Sequence, residues 1–493
     1  MTPSTLSRCT LLAALCGLAH GAAAQSPPVG PELKKFLKFE ASLVALTHVR
    51  VIDGSGAPAQ DERTIIVRDG KIEAITDAAT AAPAGARVLD LSGRTVMPGL
   101  VGMHNHLFYT ASTNRDEDDK IPLPGRLVTE VAFSAPRLYL AAGVTSMRST
   151  GSIEPTTDLN IAQLIERGQI PGPHIDVTGP YLEGPDSLFV QMANSSDADK
   201  VRQTIDYWSA QGATSFKAYM RISQQVLGAA IVAAHKHGAK VTGHLCSVDY
   251  RQAAALGIDD LEHGPVFTDA EFVPDRKAGF CPPMNAVLES WAGRDIASAP
   301  VQELIADLIK HKVALTSTLP VFEAYISTRP LLSKRQLDVM SAESARSYLY
   351  ERASTARNAE FNAKFEAALK KEMAFELAFA RAGGLLIAGP DPTGNGGVLP
   401  GFGDQRELEL LVEAGFSPLE AIRVATANGA QYQGQLARIG TIAPGKNADL
   451  VVLLGDPSRR ISDIENVELV FKDGLAYDPA KLIASVRGML GTR

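Results

Sequence analysis

Eight short apolar runs alternate with helix-like stretches through the centre of this 493-residue chain. Each run ends in polar residues, and the stretches between runs, such as 223–237 and 301–312, carry apolar residues at helical spacing. Strands that alternate with helices build parallel sheets, and eight such units suit a closed barrel. A doubly wound open sheet is the alternative, but no GxGxxG motif follows the first run. The runs cover residues 100–106, 144–148, 175–181, 214–219, 240–244, 258–263, 313–318 and 385–391.

Two strand-rich segments flank this predicted (β/α)8 TIM-like barrel. Their short apolar runs are broken by Asp-Gly pairs such as Asp69-Gly70 and Asp473-Gly474, which is typical of β-hairpins. We therefore expect an α/β chain with two domains. Residues 41–97 and 434–480 would form a small β-sandwich domain from both termini, and residues 98–433 would form the barrel.

Segment 343–381 is charged and favours a helix, with Phe361, Phe365, Leu369 and Met373 near one face. It predicts a helical excursion before the last strand. The pattern fits a lid or an interface, and it fits equally a solvated helix that packs on the barrel wall.

The N-terminal residues have the composition of a secretory signal peptide. Arg8 precedes an apolar run at 9–18, and Ala22-Ala23-Ala24 offers a cleavage site of the A-x-A type. We expect residues 1–24 to direct secretion, to a bacterial periplasm in particular, and to be cleaved off. A buried core helix is the alternative for this run.

Composition and charge narrow the range of partners. Hydrophobic residues make up 45% of the chain, the formal net charge is −7, and no basic block is present. Nucleic acid and anionic membrane surfaces are therefore not expected partners. After the N-terminal run, no uncharged apolar stretch reaches the roughly 18 residues of a membrane span, so no membrane anchor is expected.

Two cysteines follow the predicted cleavage point, Cys246 and Cys281. They allow one disulfide, but a chain of this size does not need one for its stability. Neither belongs to a CxxC pair, which excludes a zinc knuckle.

Four histidines lie at the carboxyl ends of predicted strands: His104, His106, His244 and His263. Active sites of (β/α)8 barrels form at that end. His104 and His106 are two residues apart, so both imidazoles lie on one side of their strand and could share a metal ion. A single strand-end histidine is an ordinary structural residue, but this set of four favours a metal site.

Lys217 and Asp391 also end predicted strands. A lysine beside cationic metal would be repelled unless its amine has reacted with carbon dioxide to give an anionic carbamate. Without the histidines, Lys217 would be interpreted as a rim residue that extends to solvent. Asp391 could bind metal and accept a proton, or it could be a turn residue before Pro392.

These motifs together resemble those of the amidohydrolase superfamily, and the likeness covers nearly the whole chain after residue 24. The nearest branch is that of imidazolonepropionase-like and Xaa-Pro dipeptidase (prolidase)-like enzymes. The motifs are the first-strand sequence at 98–106, Lys217, His244, Leu261-Glu262-His263-Gly264, Asp391 and the C-terminal sequence at 440–451.

The resemblance implies two divalent metal ions, zinc by expectation, although Mn, Co and Fe suit the same ligands. His104, His106 and Asp391 would hold the more buried ion. His244 and His263 would hold the other, and carboxylated Lys217 would bridge both.

The implied reaction is cleavage of a C–N amide bond in a dipeptide, an N-acyl amino acid or a related small amide, by a metal-bridging hydroxide. Asp391 would carry the proton to the leaving amine. Arg148, Tyr219 and Arg221 lie at or just past strand ends and could bind a substrate carboxylate or the developing oxyanion. A homo-oligomer is expected from the relatives.

Other functions stay open. Deaminases and true imidazolonepropionases of this superfamily carry Glu three residues after the fifth-strand histidine, where this chain has Ser247. Cyclic-amide or lactone hydrolysis is a further alternative, as is a non-catalytic barrel scaffold. Scaffolds lose metal ligands, whereas this chain keeps all six candidates. Ser149 and Pro390 also depart from the family pattern, beside the predicted substrate pocket.

Overall fold

The computed structural model describes residues 29–108, 130–185 and 192–491. The predicted signal peptide at 1–24 lies outside these residues. Within them, no helix is both long enough and apolar enough to cross a membrane.

Both ends of the chain contribute strands to one mixed sheet. Strand Leu450–Leu454 pairs antiparallel with Arg94–Pro98, which joins the two ends. The turns at Asp69-Gly70 and Asp473-Gly474 have positive φ at both residues, as tight hairpins require. In the described part of the chain, the sheet comprises Leu37–Phe39, Leu43–Val51, Gln60–Arg68, Lys71–Asp77, Arg87–Asp90, Arg94–Pro98, Leu450–Leu454, Val467–Lys472 and Leu475–Tyr477.

The side chains on the inner face of this sheet form one hydrophobic cluster. It contains Val44, Ile65 and Val96 from the N-terminal strands and Leu450 and Phe471 from the C-terminal strands. Burying one such side chain is worth about 1.5–3 kcal/mol, so the two ends stabilise each other. The small β-structure from both termini is thus present. Its division into two sandwich layers stays a prediction, because the strands belong to one hydrogen-bonded sheet.

Every predicted run of the central region contains a strand, and all pairings among these strands are parallel. The α/β architecture is therefore confirmed. The strands are Leu100–Asn105, Val144–Ser149, His174–Val177, Ser215–Ala218, Lys240–Gly243, Asp260–Glu262, Ala314–Ser317 and Leu386–Ala388, with short additions at Leu182–Glu183 and Ala193–Asn194.

The strand ladder is interrupted. Among the described residues, the first three strands form one sheet and the others form a second, rather than a single closed sheet. Backbone hydrogen bonds span the breaks, among them one from Gly179 N to Ser215 O at 2.8 Å. Thr214 N donates to Val177 O at 3.0 Å, and Asp391 N donates to His104 O at 3.0 Å.

Helices follow most of these strands and cover them on the outside. Ser223 and Asp249 cap two of them by accepting hydrogen bonds from backbone N–H groups. The helices are Pro31–Lys34, Ser134–Ala141, Pro155–Glu166, Ala198–Gln211, Gln224–Lys236, Tyr250–Leu256, Pro265–Thr268, Met284–Ala292, Ala299–Lys310, Leu319–Glu323, Lys334–Leu337, Ala342–Ala356, Ala359–Arg381, Phe402–Glu413, Pro418–Arg423, Gly429–Tyr432 and Pro479–Ala484, with a π-helical turn at Val424–Asn428 and a 3-10 turn at Ile461–Glu465.

The predicted helical excursion at 343–381 consists of two helices, Ala342–Ala356 and Ala359–Arg381. Phe365, Leu369 and Met373 are buried in the main hydrophobic core. The longer helix therefore packs against the central region, in agreement with the second of the two interpretations.

A partly buried ion cluster joins the base of the central region to the two-ended sheet. The His174 ring lies 2.6 Å from Glu166 and 3.0 Å from Asp473, and Lys472 lies 2.9 Å from the same Asp473 oxygen. Asp473 N donates to Asp449 Oδ1 at 2.7 Å. Burial and Lys472 would lower the pKa of His174, but Glu166 and Asp473 outweigh them and raise it to about 9.

This raised pKa predicts a stability difference between pH 6.5 and 9. Protonated His174 stabilises the fold fully below its unfolded pKa of about 6.5, and the contribution is lost as the pH rises toward 9. The loss is at most about 1.4 kcal/mol per pH unit for one proton. Thermal unfolding of His174→Gln should therefore differ from wild type more at pH 6 than at pH 9.

His237→Gln is the matched control, because His237 pairs with Asp206 on the protein surface. It should change stability little at either pH. An equal loss for His174→Gln at both pH values would contradict the charge-based account.

Candidate metal centre

The predicted metal ligands meet at the carboxyl ends of the parallel strands. His104 and Lys217 lie within strands Leu100–Asn105 and Ser215–Ala218. His244 and His263 each follow directly after a strand, and Asp391 lies three residues beyond Leu386–Ala388. Parallel strands end at one edge, so residues far apart in sequence converge there.

Three of these side chains offer ligand atoms within 4.8 Å of one another: His104, His263 and Asp391. His106 Nε2 lies 3.1 Å from Asp391 Oδ1, and Lys217 Nζ lies 3.0 Å from His104 Nε2. Imidazole nitrogens with a carboxylate oxygen form a donor set that suits divalent zinc and similar ions. The residues present therefore fit a metal site.

His244 lies at one side of this group. Its ring centroid is 4.4 Å from that of His263 and 4.8 Å from that of Tyr219. Its backbone N donates to Ala218 O at 3.0 Å, which ties it to the neighbouring strand. The structure thus brings all six predicted ligands together, with His244 next to His263.

Burial sets the charge state of the histidines. It lowers the pKa of His104 to about 4 and that of His244 to about 3, and nearby Lys217 acts in the same direction. The pKa of His263 is also held well below its usual value, by burial and by His244. The rings are therefore neutral and have a lone pair for a metal ion.

The pKa values of Asp391 and Lys217 are lowered by different causes. Burial alone would raise the pKa of the Asp391 carboxyl, but His104 and His106 hold it well below its usual range, so Asp391 is ionised. Burial lowers the pKa of Lys217, whose side chain is 2% exposed.

Two of the residues have an unusual backbone conformation. His263 has φ of +73° and Asp391 has φ of +53°, in the left-handed region that non-glycine residues seldom adopt. Such conformations cost about 1–3 kcal/mol and cluster at functional sites. The backbone is thus held in place where it presents two of the ligands.

A buried carboxylate orients His104. Glu262 Oε2 lies 2.6 Å from His104 Nδ1, so this nitrogen carries the proton and Nε2 is free to face a metal ion. Arg148 Nη2 donates to Glu262 at 2.9 Å and to Asp260 at 2.7 Å, and the Thr242 hydroxyl lies within hydrogen-bond distance of both carboxylates. Sequence reasoning missed this role of Glu262. The signal in the sequence was Asp260 and Glu262, two carboxylates two residues apart, and therefore on one side of the predicted strand.

The structure corrects the prediction for Arg148. This side chain was expected at a strand end facing substrate, but it is fully buried and its guanidinium pairs with Asp260 and Glu262. Arg148 therefore holds Glu262, the carboxylate that contacts the candidate ligand His104.

The other two predicted substrate residues lie nearer the open side. Tyr219 is half-buried, and its ring faces those of His244 and Tyr181. Arg221 is also half-buried, and its backbone N donates to Glu183 Oε1 at 2.7 Å.

A disulfide lies close to the site. Cys246 and Cys281 are bonded, with their Cα atoms 5.1 Å apart. The two cysteines thus form the one disulfide that the sequence allows, although chain length gave no reason to expect it. The length of a chain does not indicate whether a particular loop is held by a disulfide.

The contacts among Arg148, Glu262 and His104 predict that substitutions of Glu262 and Asp260 have different effects on metal binding, so that the Asp260 variant is the control. Glu262→Gln and Asp260→Asn each remove one carboxylate charge from buried Arg148, so each should cost about 3–5 kcal/mol in unfolding free energy. Only Glu262 touches His104, so only Glu262→Gln should weaken metal binding, by about 10–100-fold. Metal competition with a chelator measures this. Equal metal affinities for the two variants would contradict the orienting role.

The comparisons with known proteins place this geometry in a family. The model described as "Amidohydrolase family" matches residues 95–476. Dihydroorotase of Anaeromyxobacter dehalogenans (strain 2CP-C) is 32% identical over 109 residues, which covers 22% of this chain and 22% of that protein. Imidazolonepropionase of Klebsiella pneumoniae (strain 342) is 38% identical over 61 residues, 12% of this chain and 15% of that protein. The chain thus spans about a fifth or less of the length of these curated relatives.

A solved structure supports the fold over a greater length. The structure of an Xaa-Pro dipeptidase with methionine bound in its active site is similar with a TM-score of 0.65 and 19% identity, covering 89% of this chain and 100% of that one. At this identity the likeness concerns the fold alone. The family match extends from strand Arg94–Pro98 through all the candidate metal ligands to strand Leu475–Tyr477, so this chain belongs to the Amidohydrolase family, as its motifs predicted.

Proposed function

We propose that this protein is a metal-dependent hydrolase that cleaves a C–N amide bond in a small molecule. The observation that carries the proposal is the convergence of His104, His263 and Asp391 on one buried point, with His106 and Lys217 beside them. The family and the Xaa-Pro dipeptidase-like fold support the same chemistry.

Each candidate ligand has a place in a two-ion site. His104, His106 and Asp391 would hold the more buried ion, His244 and His263 the second, and Lys217 would bridge both. When bound, divalent ions such as zinc would lower the pKa of water to about 7 and polarise the substrate carbonyl. His104, His244 and His263 contribute neutral nitrogens, consistent with their lowered pKa values.

Lys217 would serve as a carbamate. Its amine would bond to the carbon of carbon dioxide and release one proton, which leaves an anionic carboxylate on the side chain. Burial lowers the pKa of Lys217 and so favours the neutral amine that this reaction needs. An unmodified amine 3.0 Å from His104 Nε2 would instead occupy the space of a metal ion.

Asp391 would move the proton. Its carboxylate accepts one proton from the attacking water and returns it to the nitrogen of the leaving amine, which is general acid–base catalysis. The hydrogen bond from Thr393 Oγ1 to Asp391 Oδ1, at 3.0 Å, and the bond from Asp391 N to His104 O orient this carboxylate.

Dipeptides and N-acyl amino acids are the substrate classes we favour. Tyr219 and Arg221 are the proposed contacts for the substrate carboxylate or the developing oxyanion, and Arg148 is no longer one of them. Deamination is less favoured, because Ser247 stands where deaminases carry Glu, and its hydroxyl donates to Ile222 O at 2.7 Å. The short stretch shared with a dihydroorotase keeps cyclic-amide hydrolysis as the second candidate.

We further infer that the interrupted strand ladder acts as one closed barrel over 98–433, next to a β-domain of 41–97 and 434–480. Export directed by residues 1–24 and assembly into a homo-oligomer are parts of the same proposal.

Metal analysis combined with a hydrolysis screen tests this function. We expect two zinc ions per chain and release of amine from dipeptides or N-acyl amino acids, which chelation abolishes and added zinc restores. Less than one ion per chain and no hydrolysis would favour the scaffold interpretation instead. Hydrolysis confined to cyclic amides would favour the second candidate.

Asp391→Asn tests the proton carrier. The amide keeps the size of the side chain but cannot accept the proton, so kcat should fall by about 10²–10⁴-fold while the protein stays folded. Circular dichroism and metal content serve as controls for the fold and the site. Turnover equal to wild type would remove Asp391 from the mechanism.

Lys217→Ala tests the bridging carbamate. The variant should lose metal and activity together and regain part of both when a small carboxylic acid such as acetate is added. Lys200→Ala, at an exposed position, is the control and should behave like wild type. Full activity of Lys217→Ala without any added acid would refute the bridge.

A further inference from the structure

We propose that the Cys246–Cys281 disulfide positions His244 and thereby holds the second metal ion in place. The two-ion site is the one proposed above, so this inference rests on that proposed function. It adds a redox-dependent element that the metal ligands alone do not imply.

The disulfide lies on the loop that carries His244. Cys246 is two residues after His244, between strand Lys240–Gly243 and helix Tyr250–Leu256, and it is 4% exposed. Cys281 lies just before helix Met284–Ala292. The bond therefore connects the loop after the fifth central strand to the segment that follows the sixth.

The segment closed by the disulfide includes another ligand. The two cysteines are 35 residues apart, and His263 lies between them. A covalent link at both ends of this segment restricts how far His244 and His263 can separate. Their ring centroids are 4.4 Å apart in the folded protein.

A third loop contacts the same place. Met220 O accepts a hydrogen bond from Ser247 N at 2.9 Å and lies 3.1 Å from Cys281 Sγ. Met220 follows Lys217 by three residues. The loops after Lys217, His244 and His263 thus meet at the disulfide.

His244 needs such support more than His104 and His263 do. His104 Nδ1 is held by Glu262 at 2.6 Å, and His263 Nδ1 is held by Thr318 Oγ1 at 2.8 Å. Within the described ranges, no hydrogen bond reaches a ring nitrogen of His244, and its ring packs beside the rings of Tyr219 and His263. A metal-binding histidine is ordinarily oriented by a hydrogen bond to its second nitrogen. The covalent link two residues away takes over this orienting role.

Reduction would release the loop. A phosphine supplies two electrons and becomes a phosphine oxide with the oxygen of a water molecule, while the S–S bond breaks and the two protons of that water complete the Cys246 and Cys281 thiols. A dithiol would instead be oxidised to its own disulfide and would transfer its two protons to the cysteines. A reduced protein would retain the hydrogen bond from His244 N to Ala218 O but lose the covalent restraint on the residues that follow. We expect the ion beside His244 to leave first, while the ion held by His104, His106 and Asp391 stays.

The test compares four samples of the full-length protein loaded with Co²⁺. They are oxidised wild type, wild type reduced with a phosphine, the double variant Cys246→Ser/Cys281→Ser, and the double variant treated with phosphine. Metal content after dialysis and the visible Co²⁺ spectrum are the readouts. The last sample controls for metal removal by the phosphine itself.

Oxidised wild type should keep two ions. Reduced wild type and both double-variant samples should keep one, with about tenfold faster loss of the other ion and loss of one component of the spectrum. Reoxidation should restore the second ion in wild type and leave the double variant unchanged. Two free thiols per chain in the oxidised protein, or equal metal content and spectra in all four samples, would overturn the inference. Oxidised protein that binds no metal would instead overturn the proposed function, and this inference with it.

Discussion

The buried chain of charges from Arg148 through Glu262 to His104 is the interaction on which the site depends. All three side chains have no measurable exposure. A buried ion pair is tolerated only when its partners are close and well hydrogen-bonded, and removing one partner is strongly destabilising. Arg148 meets this condition by binding Asp260 and Glu262 at once, and its Nε donates to Met103 O at 2.8 Å. The chain links three strands across the interior and fixes the direction of His104 Nε2.

The other ligands are held by different means. Asp391 and His263 are presented by backbone in the left-handed region, and Asp391 is tied to the first strand through the His104 carbonyl. His244 has the disulfide two residues away. The two-ended sheet leads directly into the first central strand, because Gly99 alone separates Arg94–Pro98 from Leu100–Asn105. A Cβ on Gly99 would lie 2.0 Å from Thr145 Oγ1, so this close approach requires glycine.

Residues at strand ends could be predicted well from the sequence. His104, Lys217, His244, His263 and Asp391 each close an apolar run, and parallel strands bring such positions to one edge whatever their separation along the chain. The hairpins of the two-ended sheet were equally visible, because Asp-Gly pairs have few other uses between β-like runs.

Features that depend on which face a side chain takes could not be predicted. Arg148 was expected to face substrate because its predicted run ends at this residue, and its carboxylate partners lie 112 and 114 residues away. The buried Glu372 and Glu376 lie on a helix whose charge pattern indicated solvent, yet both are fully enclosed, and burial raises their pKa values. The disulfide joins cysteines 35 residues apart whose approach depends on two loops.

The most direct test of the central claim is a crystal structure of the protein as purified, with anomalous scattering recorded at the zinc edge. We expect two anomalous peaks, one among His104, His106 and Asp391 and one beside His244 and His263, with added density for a carboxylate on the Lys217 amine between them. An unmodified Lys217 in contact with His104 Nε2, with no anomalous peak among these residues, would contradict the central claim.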